Sequence, residues 1–347
     1  MKFKVNNNLP LSDKSNAEFL KVMNAKGIIR TFNAGTMITT PNINAPVGAL
    51  AYIKPKGVEI LTAPRVADKI SRPEKNGVWG DEIVNIKTKE YAGVTAPDDG
   101  QEFDGLVATV NYANVVRGAY YYTAGWRVTD REEATVGAFQ ENARTDAVEA
   151  AMRSLAVDRN KFFFNGVNYK GLAAPVYGLL NDPLLLPYLV AKTGAASDTE
   201  WATKTPEEIC NDIVDAWAKM QQQSNGIASE RLAAGAKLKL CVSPAGEGLI
   251  MRTNSFGLSA MAKLKENFGD NLEVISVPQL AGANSGADVF YLMIDGDGDA
   301  TLLNSYIEMA RVYPVFIKDS VTSQKISAAT SGCVVQLPML VVRVTGV

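Results

Sequence analysis

From Thr129 to Gly166 the chain has no proline, and between Gly137 and Gly166 it has no glycine. The run opens on "TDRE", a Thr-x-x-Glu capping box in which Thr129 and Glu132 can satisfy each other's backbone donors. Phe139, Ala143, Ala147, Ala151 and Leu155 then recur every four residues, with charged residues on the opposite face. This spacing predicts one helix over 130–165, and Gly166 can end it. About 35 residues rising 1.5 Å each span roughly 50 Å, against an ordinary helix of about 11–12 residues. No heptad seam is sustained, so the helix reads as a strut across an elongated subunit and not as a coiled coil.

What surrounds the strut is ordinary in composition and unusual in one absence. The chain has 347 residues, 47% hydrophobic and 21% charged, enough for one large domain or two to three subdomains without stabilising metals. It contains no histidine at all. That removes Ser-His-Asp and Cys-His catalysis, His-ligated zinc and the commonest acid/base near neutral pH. Net charge is −2, so no phosphate-tracking surface is implied. Cys210, Cys241 and Cys333 form no CxxC pair, and a reducing compartment is the default expectation. No run reaches the ~18 apolar residues of a membrane span, and no signal segment opens the chain. The expectation is a soluble protein, cytosolic at synthesis.

Residues 1–50 are rich in Asn, Thr, Gly and Pro between isolated apolar residues, with a short helix expected near 15–26; they suit an arm lying on another surface. From 51 to 129 the pattern is extended: "VWGDEIVNIKTKEYAGVT", the turn "APDDG" at 96–100, then "LVATVNYANVVRGAYYYTAGWRVT". Two long strands about a turn make a ribbon with few residues of its own to cover it, so it either lies in a sheet or projects onto another subunit. "GLAAPVYGLLNDPLLLPYLV" (171–190) is apolar, but Pro175, Pro183 and Pro187 forbid a helix. The part from 190 to 295 alternates helix and strand. Thr205, Pro206 and Glu208 open one helix with the buried stripe Ile209, Ile213, Trp217 and Met220; Ser243-Pro244 opens another expected to run on to Phe268. "KLKLCVSP", "NLEVISVPQL" and "VFYLMI" read as strands, and 301–347 is mostly strand.

Candidate chemistry is sparse. In "IDGDGDA", Asp295, Asp297 and Asp299 match the first three ligand positions of a calcium loop. The required glycine is Ala300 and the closing carboxylate is Tyr306, so a hairpin turn is the better reading. No phosphate loop and no dinucleotide fingerprint occurs. Tyr120, Tyr121 and Tyr122 lack interleaved basic residues and read as strand packing, not a base-stacking platform. Arg117, Arg127, Arg131 and Arg144 suggest intersubunit salt bridges, and Cys210 and Cys241 suggest inert core thiols. No catalytic, cofactor-binding or metal-ligating residue is assigned, and an enzyme is not expected.

The order of arm, ribbon, very long helix, α/β unit and returning strands resembles the major capsid proteins of tailed phages, the HK97-like coat fold, over nearly the whole chain. The helix ending "RNKFFFNG" (159–166) followed by "VYGLLNDP" (176–183) is similar to the "GLLN-x-P" stretch after the same helix in many members. "TPEEICNDIVDAW" (205–217) and "PMLVVRVTGV" (338–347) resemble one branch of the family. The resemblance implies an α+β fold with an N-terminal arm (1–50), an extended loop with flanking strands (51–129), a spine helix and peripheral domain (130–190), an α/β axial domain (191–300) and peripheral return strands (301–347). It implies a coat protein that self-assembles as pentamers and hexamers into an icosahedral shell in the host bacterial cytoplasm. That shell would enclose double-stranded DNA without reading its sequence, with a scaffolding protein, a portal and a decoration protein as expected partners and no membrane. Because Met1 leads straight into a short arm, a separate scaffold or an already matured chain is expected. Lys56, Lys69, Lys75, Lys87 and Lys89 lie in or near the loop where some relatives form Lys–Asn cross-links, but no Asn partner or catalytic Glu stands out. An encapsulin-type nanocompartment, a histidine-free α/β enzyme built on 190–300, and a tail or tube protein are the competing readings; the long helix argues against the last.

Overall fold

The computed structural model describes residues 65–93, 108–137, 142–295 and 300–347. The arm, its expected helix near 15–26, Lys56, the turn 96–100, Phe139, Asp297 and Asp299 lie outside the described residues. The elements are α1 (Ala67–Ile70), β1 (Arg72–Lys75), β2 (Ile83–Ala92), β3 (Thr109–Gly118), β4 (Tyr120–Thr129), α2 (Asp130–Gly137), α3 (Ala143–Asn165), β5 (Leu189–Val190), α4 (Pro206–Gln223), α5 (Ile227–Ala233), β6 (Lys237–Val242), α6 (Pro244–Met251), α7 (Ala260–Phe268), β7 (Leu272–Ser276), β8 (Val289–Asp295), β9 (Leu302–Val312), β10 (Phe316–Lys318), β11 (Val321–Val335) and β12 (Val341–Thr345).

The strut expected over 130–165 is two helices. Thr129 caps α2 as its capping box requires: the Glu132 N–H donates to its hydroxyl at 3.2 Å, and its own N–H donates to the Glu132 carboxylate at 2.9 Å. At Asn142, however, the backbone is extended (φ −112°, ψ 99°), and its side chain accepts from the N–H groups of Arg144 and Thr145. That side-chain cap starts a new helix where the apolar spacing alone implied continuation, because Asn offers the backbone a competing partner. The surviving spine, α3, has 23 residues and is about 35 Å long. Its expected stripe is correct: Ala151 and Leu155 are buried, and with Ala143 and Ala147 they pack on Trp126, Val128, Ile326 and Ala328 of β4 and β11.

A second correction has the same cause. The helix expected from Pro244 to Phe268 is α6 and α7, separated at Asn254, whose carboxamide oxygen accepts from Phe256 and Leu258 N–H, and at Gly257 with φ +78°. The start of α4 is as expected, with Thr205 and Glu208 in a complete capping box and Pro206 in the first turn. Ile209, Ile213 and Met220 are fully buried, and Trp217 packs edge-on against Phe268 at 5.6 Å.

Two five-stranded sheets organise the rest. In the first, the 15-residue β11 pairs antiparallel with β4 along one edge and with β10 and then β9 along the other, and β1 adds parallel to β9. The second runs β5-β12-β8-β6-β7. The last strand therefore departs from the expected division: β12 lies within 301–347 yet pairs with β8 and β5 in the second sheet, not with the other return strands. In β8, Phe290, Leu292 and Ile294 face the core under α4, α6 and α7. Val289, Tyr291 and Met293 face a second core closed by Phe163, Phe164, Leu179 and Leu302. A strand covered on both faces reads as the unbroken apolar run "VFYLMI".

All three cysteines are buried and free. Burial pushes the Cys241 thiol from its ordinary 9 up to about 12, with the nearby Lys239 opposing weakly. The unfolded chain loses this proton first, so stability holds below pH 9 and falls as pH rises toward 12. The folded state is expected to lose about 1–2 kcal/mol by pH 10 through Cys241 alone. Urea midpoints at pH 8 and pH 10 check this, and an unchanged midpoint would mean that solvent reaches the thiols.

Candidate assembly interface

The C-terminus of α3 is where the motif "VYGLLNDP" acquires a physical role. An α-helix leaves its last four carbonyls without partners. Here each finds one: Phe162 O accepts from Gly166 N–H (2.9 Å), Phe163 O from Leu179 N–H (2.8 Å), Phe164 O from Leu180 N–H (3.0 Å), and Asn165 O from the Asn181 carboxamide (2.9 Å). The Asn181 carboxamide oxygen in turn accepts from Gly178 N–H at 2.7 Å. The segment 174–181 is thus a clamp on the helix end, and it approaches three other backbones closely. A Cβ on Gly178 would lie well under 3.0 Å from Phe164 O and Gly166 N. On Gly118 it would meet Ala174 O, and on Gly332, at the β11 bulge with φ +76°, it would meet Tyr177 O.

The same clamp anchors the ribbon. Asp182, 2% exposed, receives a 2.7 Å ion pair from Arg117 at the root of β3, itself 4% exposed. Asp182 also accepts from Leu184 N–H at 2.9 Å, and the Arg117 guanidinium lies 5.0 Å from the Tyr177 ring centre. Val84, Ile86 and Val115 complete the root, packing with Leu303, Ile307, Ala329 and Val334 of the first sheet. Farther out the ribbon has little cover. β2 and β3 pair over ten rungs, about 34 Å, and from Lys87 and Asn114 outward only Thr88 and Ala92 are even half-buried. Tyr91 and Tyr112 are 82% and 70% exposed. A two-stranded ribbon is marginal on its own in water, so this one is built to be covered. A second exposed apolar group lies at the edge strand β10, with Val315, Phe316 and Ile317.

The other sequence candidates resolve into structural roles. Asp295 is the last residue of β8 and pairs with Lys239 at 2.7 Å, whose ammonium also donates to Ile70 O at 2.9 Å. Of the four arginines expected at subunit contacts, two are engaged within the chain: Arg117 with Asp182, and Arg144 with Glu133 at 2.6 Å. Tyr120 and Tyr122 pack edge-on to Phe162 at 5.2 and 5.1 Å, and the Tyr121 hydroxyl donates to Asp81 O at 2.7 Å; this is strand packing, as read. Lys69 and Lys75 are exposed on α1 and β1. A cleft of about 370 Å³ beside α6 is lined by Ser243 and Asp288. Its serine hydroxyl accepts from Gly246 N–H as the helix cap and donates to Asp288 at 2.6 Å, so it is committed to structure. Sequence reasoning missed three contacts: the Arg117–Asp182 pair, the buried Lys204–Asp212 pair at 2.6 Å, and Asn160 accepting from the N–H groups of Val66 and Ala67. Each joins residues far apart or of a type common on surfaces, and periodicity carries no signal for that. Among the described residues no cluster of three or more acidic, Cys or His side chains could hold a metal, and no helix is long and apolar enough to cross a membrane.

A subunit of this kind, with an exposed ribbon rooted on the first sheet and on Asp182, is matched by solved capsids. The chain shares 12% identity and a TM-score of 0.66 with the capsid of Myoviridae Phage XM1, covering 88% of this chain and all of that one. With the capsid of an empty GTA particle it shares 12% identity and a TM-score of 0.55, covering 97% and 99%. With a protein of Mycobacterium phage Che8 the values are 14% and 0.51, covering 88% and 98%. The fold is the HK97-like coat fold. No curated protein sequence matches the chain. A family model does: residues 36–346 match the Pa193 gp26 major capsid protein, and the chain belongs to that family. It is a structural coat protein of a bacteriophage, a component of the virion capsid that assembles with itself into the shell.

Proposed function

We propose that the shell is an icosahedral lattice of pentamers and hexamers in which this chain surrounds double-stranded DNA without reading its sequence. Residues 191–300 gather around the five- and sixfold axes, and the loop carrying β2 and β3 lies across a neighbouring subunit. Assembly takes place in the host cytoplasm, with a scaffolding protein, a portal and a decoration protein as partners, and the chain itself performs no catalysis. The observation that carries this reading is the ribbon: its root is fixed by a buried ion pair, while its outer rungs expose two tyrosines. Such a surface is stable and soluble only when neighbours cover it. Many modest contacts repeated by symmetry then close a strong shell without any single strong one. Net charge −2 fits a coat that tolerates the duplex and does not grip it.

The test is electron microscopy of the purified chain, alone and with its neighbouring gene products. Closed shells with five- and sixfold capsomers are the expected result. A chain that stays a stable monomer under every condition would overturn the reading.

A further inference from the structure

Asparagine followed by glycine is the dipeptide most prone to lose its side-chain amide, because glycine has no Cβ to shield its backbone nitrogen or restrict its rotation. The chain has three such pairs, Asn76-Gly77, Asn165-Gly166 and Asn225-Gly226, all within the described residues. We propose that the fold singles out Asn76, at the foot of the ribbon, as a site of spontaneous deamidation and protects the other two. This goes beyond the coat reading and does not rest on it.

The reaction needs only water. The Gly77 nitrogen attacks Asn76 Cγ: an N–C bond forms, the bond from Cγ to the amide nitrogen breaks, and the glycine proton leaves with that nitrogen as ammonia. Water then opens the cyclic imide at either carbonyl, giving aspartate or isoaspartate. For the attack, the glycine N–H must be free of an acceptor, and the peptide joining the two residues must be free to turn toward the side chain.

The three sites differ in both respects. At Asn165-Gly166 the linking peptide is bonded at both ends: Gly166 N–H donates to Phe162 O at 2.9 Å, and Asn165 O accepts from the Asn181 carboxamide at 2.9 Å. At Asn225-Gly226, Gly226 N–H donates to Gln221 O at 3.0 Å and Asn225 N–H to Gln222 O at 3.4 Å, which holds Asn225 at φ +50°. Gly77 N–H, by contrast, has no acceptor among the described residues. The chain is pinned on either side of it. Asn76 N–H donates to Tyr306 O at 2.9 Å, extending the pairing of β1 with β9, and Val78 N–H donates to the Asp81 carboxylate at 2.7 Å. Gly77 is the unbonded joint between these points, exposed and at φ +119°. The Asn76 carboxamide makes one contact, to the Ser305 hydroxyl at a long 3.4 Å, and gives up little by turning.

One neighbour opposes the step. The Asp81 carboxylate lies 3.2 Å from where a Cβ on Gly77 would stand, and it repels charge on the attacking nitrogen. Asp81 is exposed, so water and salt screen that effect. A backbone hydrogen bond that must break first slows each of the other two sites by up to about tenfold, and the helical turn around it adds to that. The position gives the change a consequence. Asn76 joins β1 to the turn that leads into β2, so aspartate adds a charge beside Asp81, and isoaspartate lengthens the backbone between the first sheet and the ribbon.

The purified full-length chain, incubated in mildly alkaline buffer, tests this without any substitution. Peptide mapping by mass spectrometry follows the three sites, and labelling by an isoaspartyl methyltransferase counts the isoaspartate product. Asn76 is expected to convert at least about tenfold faster than Asn165 or Asn225. In guanidinium chloride that lead is expected to vanish, because the three dipeptides are the same once the fold is gone. Comparable rates in the folded chain, or a lead for Asn165 or Asn225, would overturn the proposal. A lead for Asn76 that persists in denaturant would trace it to the neighbouring residues and not to the fold, which also overturns it.

Discussion

Gly178→Ala is expected to leave no soluble folded protein. A methyl group there would lie well under 3.0 Å from Phe164 O and Gly166 N, both backbone atoms that no rotamer change can move aside. To make room, the segment must retreat from the helix end. That breaks the bonds from Leu179 and Leu180 to Phe163 O and Phe164 O, and releases the Asn181 carboxamide from Asn165 O. Buried carbonyls left without partners cost about 1–3 kcal/mol each, and the two at Phe163 and Phe164, together with the backbone displacement itself, take a large share of the stability of about 5–15 kcal/mol of a typical domain. Gly248→Ala is the matched control. Gly248 lies inside α6 with nothing within 4 Å of an added Cβ, and the change is expected to be neutral or to stabilise by about 0.5–1 kcal/mol. Soluble yield and far-UV circular dichroism separate the two. A Gly178→Ala protein that melts within a few degrees of Gly248→Ala would show that the clamp does not govern folding.

Asp182→Ala is expected to destabilise by about 3–5 kcal/mol, because it strands the Arg117 guanidinium in a site only 4% exposed. Replacing both partners by apolar residues of similar size, Arg117→Met with Asp182→Leu, is expected to recover most of that loss. The pair's attraction is largely spent on its own desolvation, and the apolar pair carries no such cost. Urea denaturation of the two variants gives the difference directly. A cost below about 1 kcal/mol for Asp182→Ala would mean that water reaches the guanidinium. Because Arg117 sits at the root of β3 and Asp182 on the clamp, the pair also sets the direction in which the ribbon leaves the body. The double variant is therefore expected to fold well and assemble poorly, a combination that stability alone would not produce.

How far the sequence could be read depended on how local each determinant was. The capping boxes at Thr129 and Thr205, the buried stripe Ile209–Ile213–Met220 and the strand β8 were all legible, since each is decided within one turn or one strand. The two misread helices failed for one reason. Asn142 and Asn254 divert the backbone through their own side chains, and apolar spacing does not register a polar competitor. The ribbon was legible as two strands around a turn, but which of its faces is bare was not, since that depends on where the root packs. "VYGLLNDP" was visible only as a familiar string. Its content, four helix carbonyls capped and three backbones in close approach, exists only once 118, 166, 178 and 332 meet.

The sequence by itself determined the class of element at nearly every point and, through the absence of histidine, much of the chemistry the chain lacks. It also determined that an extended ribbon would need covering. Only the tertiary structure decided that β12 returns to the second sheet, that Arg117 is an internal anchor, and that Asp295 serves Lys239. These outcomes rest on contacts between residues 48 to 155 positions apart. Local propensity describes what each segment can become, whereas desolvation and close packing, which choose among partners, are properties of the assembled chain.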